Sequence, residues 1–406
     1  MDILPILSTL KRHKTAASLI VLQMALTCAI VCNALFLISQ RIERIGKPSG
    51  LDEDRLVMLA VASVTRVDND DAQTQSDLQA LRQLPGVQQA AIVNQIPYAP
   101  STVYSGVSLQ PGQAQPPTTA STYYGGEHLL QTLGLRVIAG RDFLPDEYVG
   151  SAAANEENPV IPAVIVNSAL ARQLFPGESP LGKSVYVYGN VPHRIVGVVD
   201  PLTSPTPGTN EQYGLGTLIL PIRPSFRGGM FLLRTDPAQR ATVLKAAAEK
   251  LVHNSPGMKR LVRDQMLLTD MRSDYYRQDR SMIQLLAGVC VALLVVTAFG
   301  IVGLGSFWVQ QRTRMIGTRR ALGATRGQIL RYFQTENLLL STVGIALGMA
   351  GAYGISLLLM RQYEMPPLPA AYLPVGAVAL WALGQLAVLA PARRAAALPP
   401  VVALRG

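Results

Sequence analysis

The chain has 406 residues, of which 49% are hydrophobic and only 15% charged, with a formal net charge of +10 and a mean hydropathy of +0.24. That length admits two or three domains, and so many apolar residues with so few charges exclude an ordinary soluble chain. What remains is a chain divided between lipid and water.

Residues 1–15 are read as a short basic segment, with Lys11, Arg12, His13 and Lys14 ahead of an apolar run that predicts a transmembrane helix over 16–40. The run is longer than the roughly 7–15 residues of a signal-peptide core, and no small-x-small cleavage site follows, so a retained span is expected. Thr27 and Val31 precede Cys28 and Cys32 where a lipoprotein signal needs a small residue. These two cysteines fall one turn apart on a helix face and read as packing residues.

Residues 41–280 are expected to form one large domain without disulfides, since all 3 cysteines lie in apolar runs. Leu56–Val61 and Val87–Val93 read as strands around a helix, Gln75–Leu84, closed by Pro85-Gly86. Late in the domain, Leu218–Leu220 and Met230–Leu233 read as strands ahead of a helix over Pro237–Val252, where Ala241, Leu244, Ala248 and Leu251 recur at helical spacing,. Between these units, about 99–216 is rich in Gly, Pro, Ser and Thr, with further strand candidates and one helix, Ser168–Phe175. The pattern predicts a small α/β lobe carrying an inserted, mainly β lobe. Hydrophilic Asp264–Arg280 is expected to extend the next span as a helical stalk.

Three further apolar runs predict transmembrane helices over 281–309, 333–360 and 373–391, each near the roughly 20 residues a bilayer requires. A loop, 310–332, a short loop, 361–372, and a tail, 392–406, join or follow them. The fold class is therefore membrane α-helical, four transmembrane helices in a 1+3 arrangement, plus an α+β extracytoplasmic domain. Residues 41–280 balance 23 basic against 23 acidic side chains. The positive excess lies in the short segments beside the spans, above all 309–331. Basic loops stay in the cytoplasm, so both termini and 310–332 are expected inside, and 41–280 and 361–372 in the periplasm. Charge confined beside the spans argues against a nucleic-acid partner.

Gly177–Ser184 reads GESPLGKS, a literal GxxxxGK[ST] match. A phosphate cradle needs a strand before that loop and a helix after it. Here a helix-like run precedes and a strand-like run follows, so nucleotide binding is not expected. His13, His128, His193 and His253 are dispersed, with no metal spacing, and neither GxSxG nor HExxH occurs,. A non-catalytic chain without a cofactor or metal of its own is expected.

The most informative segment is Gln310–Tyr332, QQRTRMIGTRRALGATRGQILRY. Arg312, Arg314, Arg319, Arg320, Arg326 and Arg331 crowd it, while Met315, Ile316, Ala321 and Leu322 can form an apolar strip on a short helix broken at Gly317, Gly323 and Gly327. Such a helix suits docking to a partner. Here the chain resembles the MacB/FtsX-like permease family of ABC transporters. The likeness rests on RTRMIGTRRALGATRGQIL, on NSALARQLFPGESPLGKSVYVYGNVPHRIVGVV, on GLRVIAGRDF and on the tail PARRAAALPPVVALRG. The resemblance implies a permease paired with a second permease chain, identical or different. Cytoplasmic ABC ATPase subunits would bind it and hold the ATP and Mg. Their motion would pass through a coupling loop comprising Arg312, Arg314, Met315, Ile316, Gly317, Arg319, Arg320, Ala321, Leu322 and Gly323. No ATPase domain is recognised, so hydrolysis is expected in a separate chain. In the exporter branch a periplasmic adaptor and an outer-membrane channel complete the route, and the location implied is the bacterial inner membrane. The alternatives are lipoprotein extraction or control of cell-wall hydrolases within the same family, or a membrane sensor without an ATPase. Gln311 and Met315 stand where the family commonly has acidic residues, which implies an altered ATPase contact; a heterodimer with a second, more typical permease is one explanation.

In the third span Glu336 is costly in lipid unless paired, and a loop arginine such as Arg331 or Arg320 is the expected partner. Gly344, Gly348 and Gly351 form a small-residue ridge suited to close helix packing within or between subunits, and membrane lipid covers the remainder.

Overall fold

The computed structural model describes residues 14–64, 69–99, 102–113, 116–156, 159–199, 202–207, 216–254, 258–363, 369 and 371–397. The basic segment before Lys14 and the tail from 398 lie outside them, as does most of 364–370. Two compact units result: one holds the chain up to Ile45 and from Gln278 onward, the other is Gly46–Arg277.

The chain enters through α1 (Lys14–Gly46). The large domain opens with β1 (Leu56–Ser63), α2 (Asp70–Arg82) and β2 (Val87–Val93). An insertion follows: β3 (Tyr104–Val107), β4 (Thr118–Tyr124), α3 (Leu129–Leu133), β5 (Val137–Gly140), β6 (Val149–Gly150) and α4 (Ser151–Ala154). It continues through β7 (Ala163–Asn167), α5 (Ser168–Leu174), β8 (Ser184–Val185), β9 (His193–Val199), β10 (Thr217–Leu220) and β11 (Ile222–Arg223). The chain returns as β12 (Met230–Thr235), α6 (Arg240–His253), β13 (Arg260–Leu267) and α7 (Leu268–Tyr275).

The smaller sheet has the order β13-β1-β12-β2 with every neighbour antiparallel. Two β-α-β units interleaved in that order make a ferredoxin-like lobe. Helices α2 and α6 cover one face, packing Leu78, Leu81, Val243 and Leu251 against Val57, Leu59 and Phe231. Helix α3, from the insertion, packs on β2 and β12. Residues 56–61 of β1 are all buried, which is why the strand reads as an unbroken apolar run rather than an alternation. Asn69 caps α2 by accepting from the Ala72 N–H, so the helix begins five residues before the expected Gln75.

The larger sheet runs β3-β4-β10-β7-β9-β5, with β8 paired to β9. It bears out the small α/β lobe with a mainly β insertion, with one correction. Leu218–Leu220, grouped by sequence with the second α/β unit, lies in the larger sheet, parallel to β4 and antiparallel to β7. The true second unit is β12–α6–β13. Short, wholly apolar strands look alike in sequence, and only pairing separates them. The expected stalk also needs correction. Arg260–Leu267 is a largely exposed edge strand on β1, and helix begins only at Leu268, pausing at Tyr276.

Two polar clusters hold the large domain. Arg260 and Asp77, with no exposed side-chain surface, form a bidentate pair of 2.9 and 2.6 Å. Asn254 and Gln73 donate to the same carboxylate. The second cluster centres on Glu53, which accepts from the Tyr98 hydroxyl at 2.6 Å, from Arg272 of α7 at 3.0 Å and from Ser49. Tyr98 has φ 70°, a costly conformation for a tyrosine. It is held by donation of its N–H to the Pro205 carbonyl at 2.8 Å and by edge contact with Tyr276. Burial, and then the Glu53 carboxylate, push the Tyr98 phenol pKa upward, so it stays a donor. This cluster ties the segment after α1, the helix leading to the second span and the inserted lobe.

The membrane unit consists of α1, α8 (Arg277–Gln311), the short α9 (Thr313–Ala321), α10 (Arg326–Tyr363) and α11 (Tyr372–Ala397). Four of these helices are long and apolar enough to cross a membrane. Thr27 and Thr297 share a buried hydrogen bond of 2.8 Å between α1 and α8, and Arg41 and Arg44 of α1 both pair with Asp279 of α8.

Replacing Asp77 with alanine leaves the Arg260 guanidinium buried without its counter-ion. A loss of about 3–5 kcal/mol is expected, read as faster hydrogen exchange of the β1 and β13 amides in the full-length protein.

Candidate functional site

The arginine-rich segment is shaped by three local devices. At its start, the Thr313 hydroxyl donates to the Val309 and Gln310 carbonyls at 3.1 and 2.8 Å. Such back-bonding disturbs a helix ladder, and the chain leaves helical geometry at Arg312. At the far end of α9, Gly323 takes φ +95° while the Ala324 N–H reaches the Arg319 carbonyl at 3.0 Å. This is the Schellman stop that glycine permits. Helix α10 then starts with a capping box: Gln328 N–H donates to the Thr325 hydroxyl at 3.3 Å, and Thr325 N–H to the Gln328 side chain at 2.9 Å,.

The bend turns Arg312 inward. Its guanidinium meets Glu336 of α10 at 3.0 and 2.7 Å, with side-chain exposures of 5% and 1%. The guanidinium also lies 5.4 Å from the Trp308 ring centroid. Arg312, not Arg331 or Arg320, is therefore the partner of Glu336. Arg331 points away from the interior on an exposed face. Arg320 instead donates to the Ala396 carbonyl in the last turn of α11, satisfying one of the carbonyls a helix end leaves open.

Around this pair the sequence-predicted residues separate by burial. Ile316 packs with Val309, Ile329, Tyr332, Phe333 and Ala392, and Gly317 is buried beside it. Arg319 lies over the Tyr332 ring at 4.9 Å. Met315 is half-buried, whereas Arg314, Ala321, Leu322 and Gly323 are exposed, Leu322 by 83%. The apolar strip expected on α9 is thus split, with Ile316 facing the helices and Leu322 facing away. Trp308, Tyr332 and Phe333 were not anticipated as parts of the site. The Thr325–Gln328 box was legible as T-x-x-Q.

The glycine ridge of α10 receives α1. A Cβ at Gly344 would lie 2.6 Å from Met24 Cβ, and one at Gly348 would lie 2.6 Å from the Ala25 carbonyl and 2.5 Å from Cys28 Cβ. Gly351 is looser, 3.7 Å from Ala29 Cβ. Backbones approach this closely only without side chains, so the ridge forms a seam within one chain. Cys28 and Cys32 are buried there, their sulfurs 4.0 Å apart.

The phosphate-loop look-alike joins α5 to β8, with Gly177 and Gly182 at positive φ. Lys183 pairs with Glu178 and covers Phe175 at 4.5 Å. Among the described residues, no group of three His, Cys, Asp or Glu could hold a metal ion.

Residues 25–251 match the MacB-like periplasmic core domain, and residues 287–400 match the FtsX-like permease C-terminal region. The macrolide export ATP-binding/permease protein MacB of Shewanella sp. (strain W3-18-1) is 28% identical over 78% of this chain and 48% of its own length. The uncharacterized ABC transporter permease YknZ of Bacillus subtilis is 25% identical over 82% of this chain and 79% of its own. The chain thus spans about half the length of the MacB relative it matches. Among solved structures, the periplasmic region of MacB from Actinobacillus actinomycetemcomitans aligns at a TM-score of 0.34 and 16% identity, covering 57% of this chain and 97% of that one. With a MacB-like core domain and an FtsX-like C-terminal region on one chain, the protein is a multi-pass membrane protein of the MacB/FtsX-like family of ABC transporter permeases.

Proposed function

We propose that this permease couples a separate cytoplasmic ABC ATPase to its large domain and so drives export. The observation that carries this reading is the division of the Gln310–Tyr332 segment into a buried anchor and an exposed face. Arg312 and Ile316 fix α9 against α10 and α11, while Arg314, Ala321, Leu322 and Gly323 remain exposed. A short helix anchored on one side and open on the other suits a rigid contact with a moving partner.

On this reading ATP and Mg belong to the ATPase. Displacement of α9 is imposed on the bend at Arg312, follows α8 through the covalent chain into α7, and meets the Glu53 cluster. Both termini and α9 lie in the cytoplasm of a bacterial inner membrane, and the large domain lies in the periplasm. A second permease chain completes the membrane unit, and an adaptor with an outer-membrane channel completes the route. The name of the MacB relative supports export as the direction of work.

Two outcomes are expected. The Arg314→Glu/Leu322→Ala variant should retain at least about tenfold less ATPase on affinity purification from mild detergent, as loss of an interface hot spot would cause. Unchanged recovery would remove α9 from the contact. Glu336→Leu should lower the melting temperature of the purified protein, because Arg312 is left buried and unpaired at a cost of about 3–5 kcal/mol. Arg312→Met in the same chain should restore most of that loss, since the pair acts as a unit.

A further inference from the structure

The bend at Arg312 leaves a cavity that the coupling role does not use. It has a volume of about 220 Å³ and is lined by Ser306, Val309, Gln310, Thr313, Pro391 and Arg394. Pro391 lies inside α11, and Gly305 admits its ring, 3.3 Å from where a Cβ would lie. Beside that contact, the short side chains of Ser306 and Thr313 leave the space open.

The lining includes the exposed Arg394 and Gln310, with no carboxylate among the lining residues. Beyond the lining, the face of α8 that carries Ser306 continues by steps of three and four residues through Gly303, Phe299 and Val296. A Cβ at Gly303 would meet nothing within 4 Å, and Phe299 and Val296 are 71% and 60% exposed. The cavity sits where the apolar run of α8 ends and the arginine-rich segment begins. The surrounding charge is of one sign. The segment 309–331 carries six arginines and no acid, Arg393 and Arg394 follow on α11, and the nearby Glu336 is engaged by Arg312.

We propose that this cavity binds an anionic phospholipid. Its headgroup phosphate contacts Arg394 and Gln310, and one acyl chain lies along Gly303, Phe299 and Val296. A cationic site that also holds a chain selects anionic lipid over both zwitterionic lipid and free phosphate. The lipid braces α8 against α11 at the bend, so occupancy stiffens the joint between α8 and α9.

The test is thermal melting of the delipidated full-length protein in detergent, titrated separately with phosphatidylglycerol, phosphatidylcholine and inorganic phosphate. Phosphatidylglycerol is expected to raise the midpoint saturably, with little effect from the other two. Arg394→Gln should weaken the phosphatidylglycerol response about fivefold, the worth of one juxtamembrane arginine. Ser306→Phe, which fills the cavity, should abolish it. Arg326→Gln, at an exposed position on α10, should leave it unchanged. Equal responses to the two lipids would overturn the proposal, as would wild-type behaviour of both cavity variants or an equal loss with Arg326→Gln. If either cavity variant is too unstable to melt cleanly, native mass spectrometry of the wild type and Arg394→Gln decides by counting retained phosphatidylglycerol. Equal retention refutes the site.

Discussion

The buried pair between Arg312 and Glu336 is the constraint on which the membrane unit depends. A carboxylate and a guanidinium that are almost wholly excluded from solvent are tolerable at a membrane boundary only together. Satisfying both forces α8 to bend where Thr313 has already loosened its ladder. The break at Arg312 seats Ile316 among α10 and α11 side chains and leaves Leu322 exposed.

The large domain uses the same principle twice. Asp77 and Arg260 link α2 to the edge strand β13 through a pair with no exposed surface, and Asn254 satisfies the remaining acceptor capacity. Glu53 gathers Ser49, Tyr98 and Arg272, three points that in sequence belong to the segment after α1, the edge of the insertion and the helix before α8. Tyr98 holds an unfavourable backbone conformation there. The insertion is therefore fastened to α7, the element that leads in sequence to the second span.

Much of this was legible in the sequence. The four spans, the arginine-rich segment and the small lobe with its insertion follow from hydropathy, charge and the spacing of apolar runs. What was hidden has a common cause. Leu218–Leu220 was placed in the wrong lobe because a short buried strand carries no label for its partners. Asp264–Leu267, the end of the strand Arg260–Leu267, was read as part of a stalk because an edge strand facing solvent has little apolar alternation. Glu336 announced that it needed a partner, but six arginines stood nearby, and only the bend at Thr313 chose Arg312. Leu322 and Ile316 looked equivalent on a helix, and only the position of α11 told them apart. Local chemistry was readable, whereas choices among similar long-range partners were not.

The role proposed for the Arg312 joint is to transmit the state of an ATPase to the large domain. Hydrogen exchange of the large domain tests it most directly, with the permease–ATPase complex compared with and without a non-hydrolysable ATP analogue. In the wild type, the analogue should alter exchange in Leu268–Tyr275 and around Glu53. In an Arg312→Gln/Glu336→Gln variant that still binds the ATPase, that response should vanish. An identical response in the variant, or none in the wild type, would contradict the account.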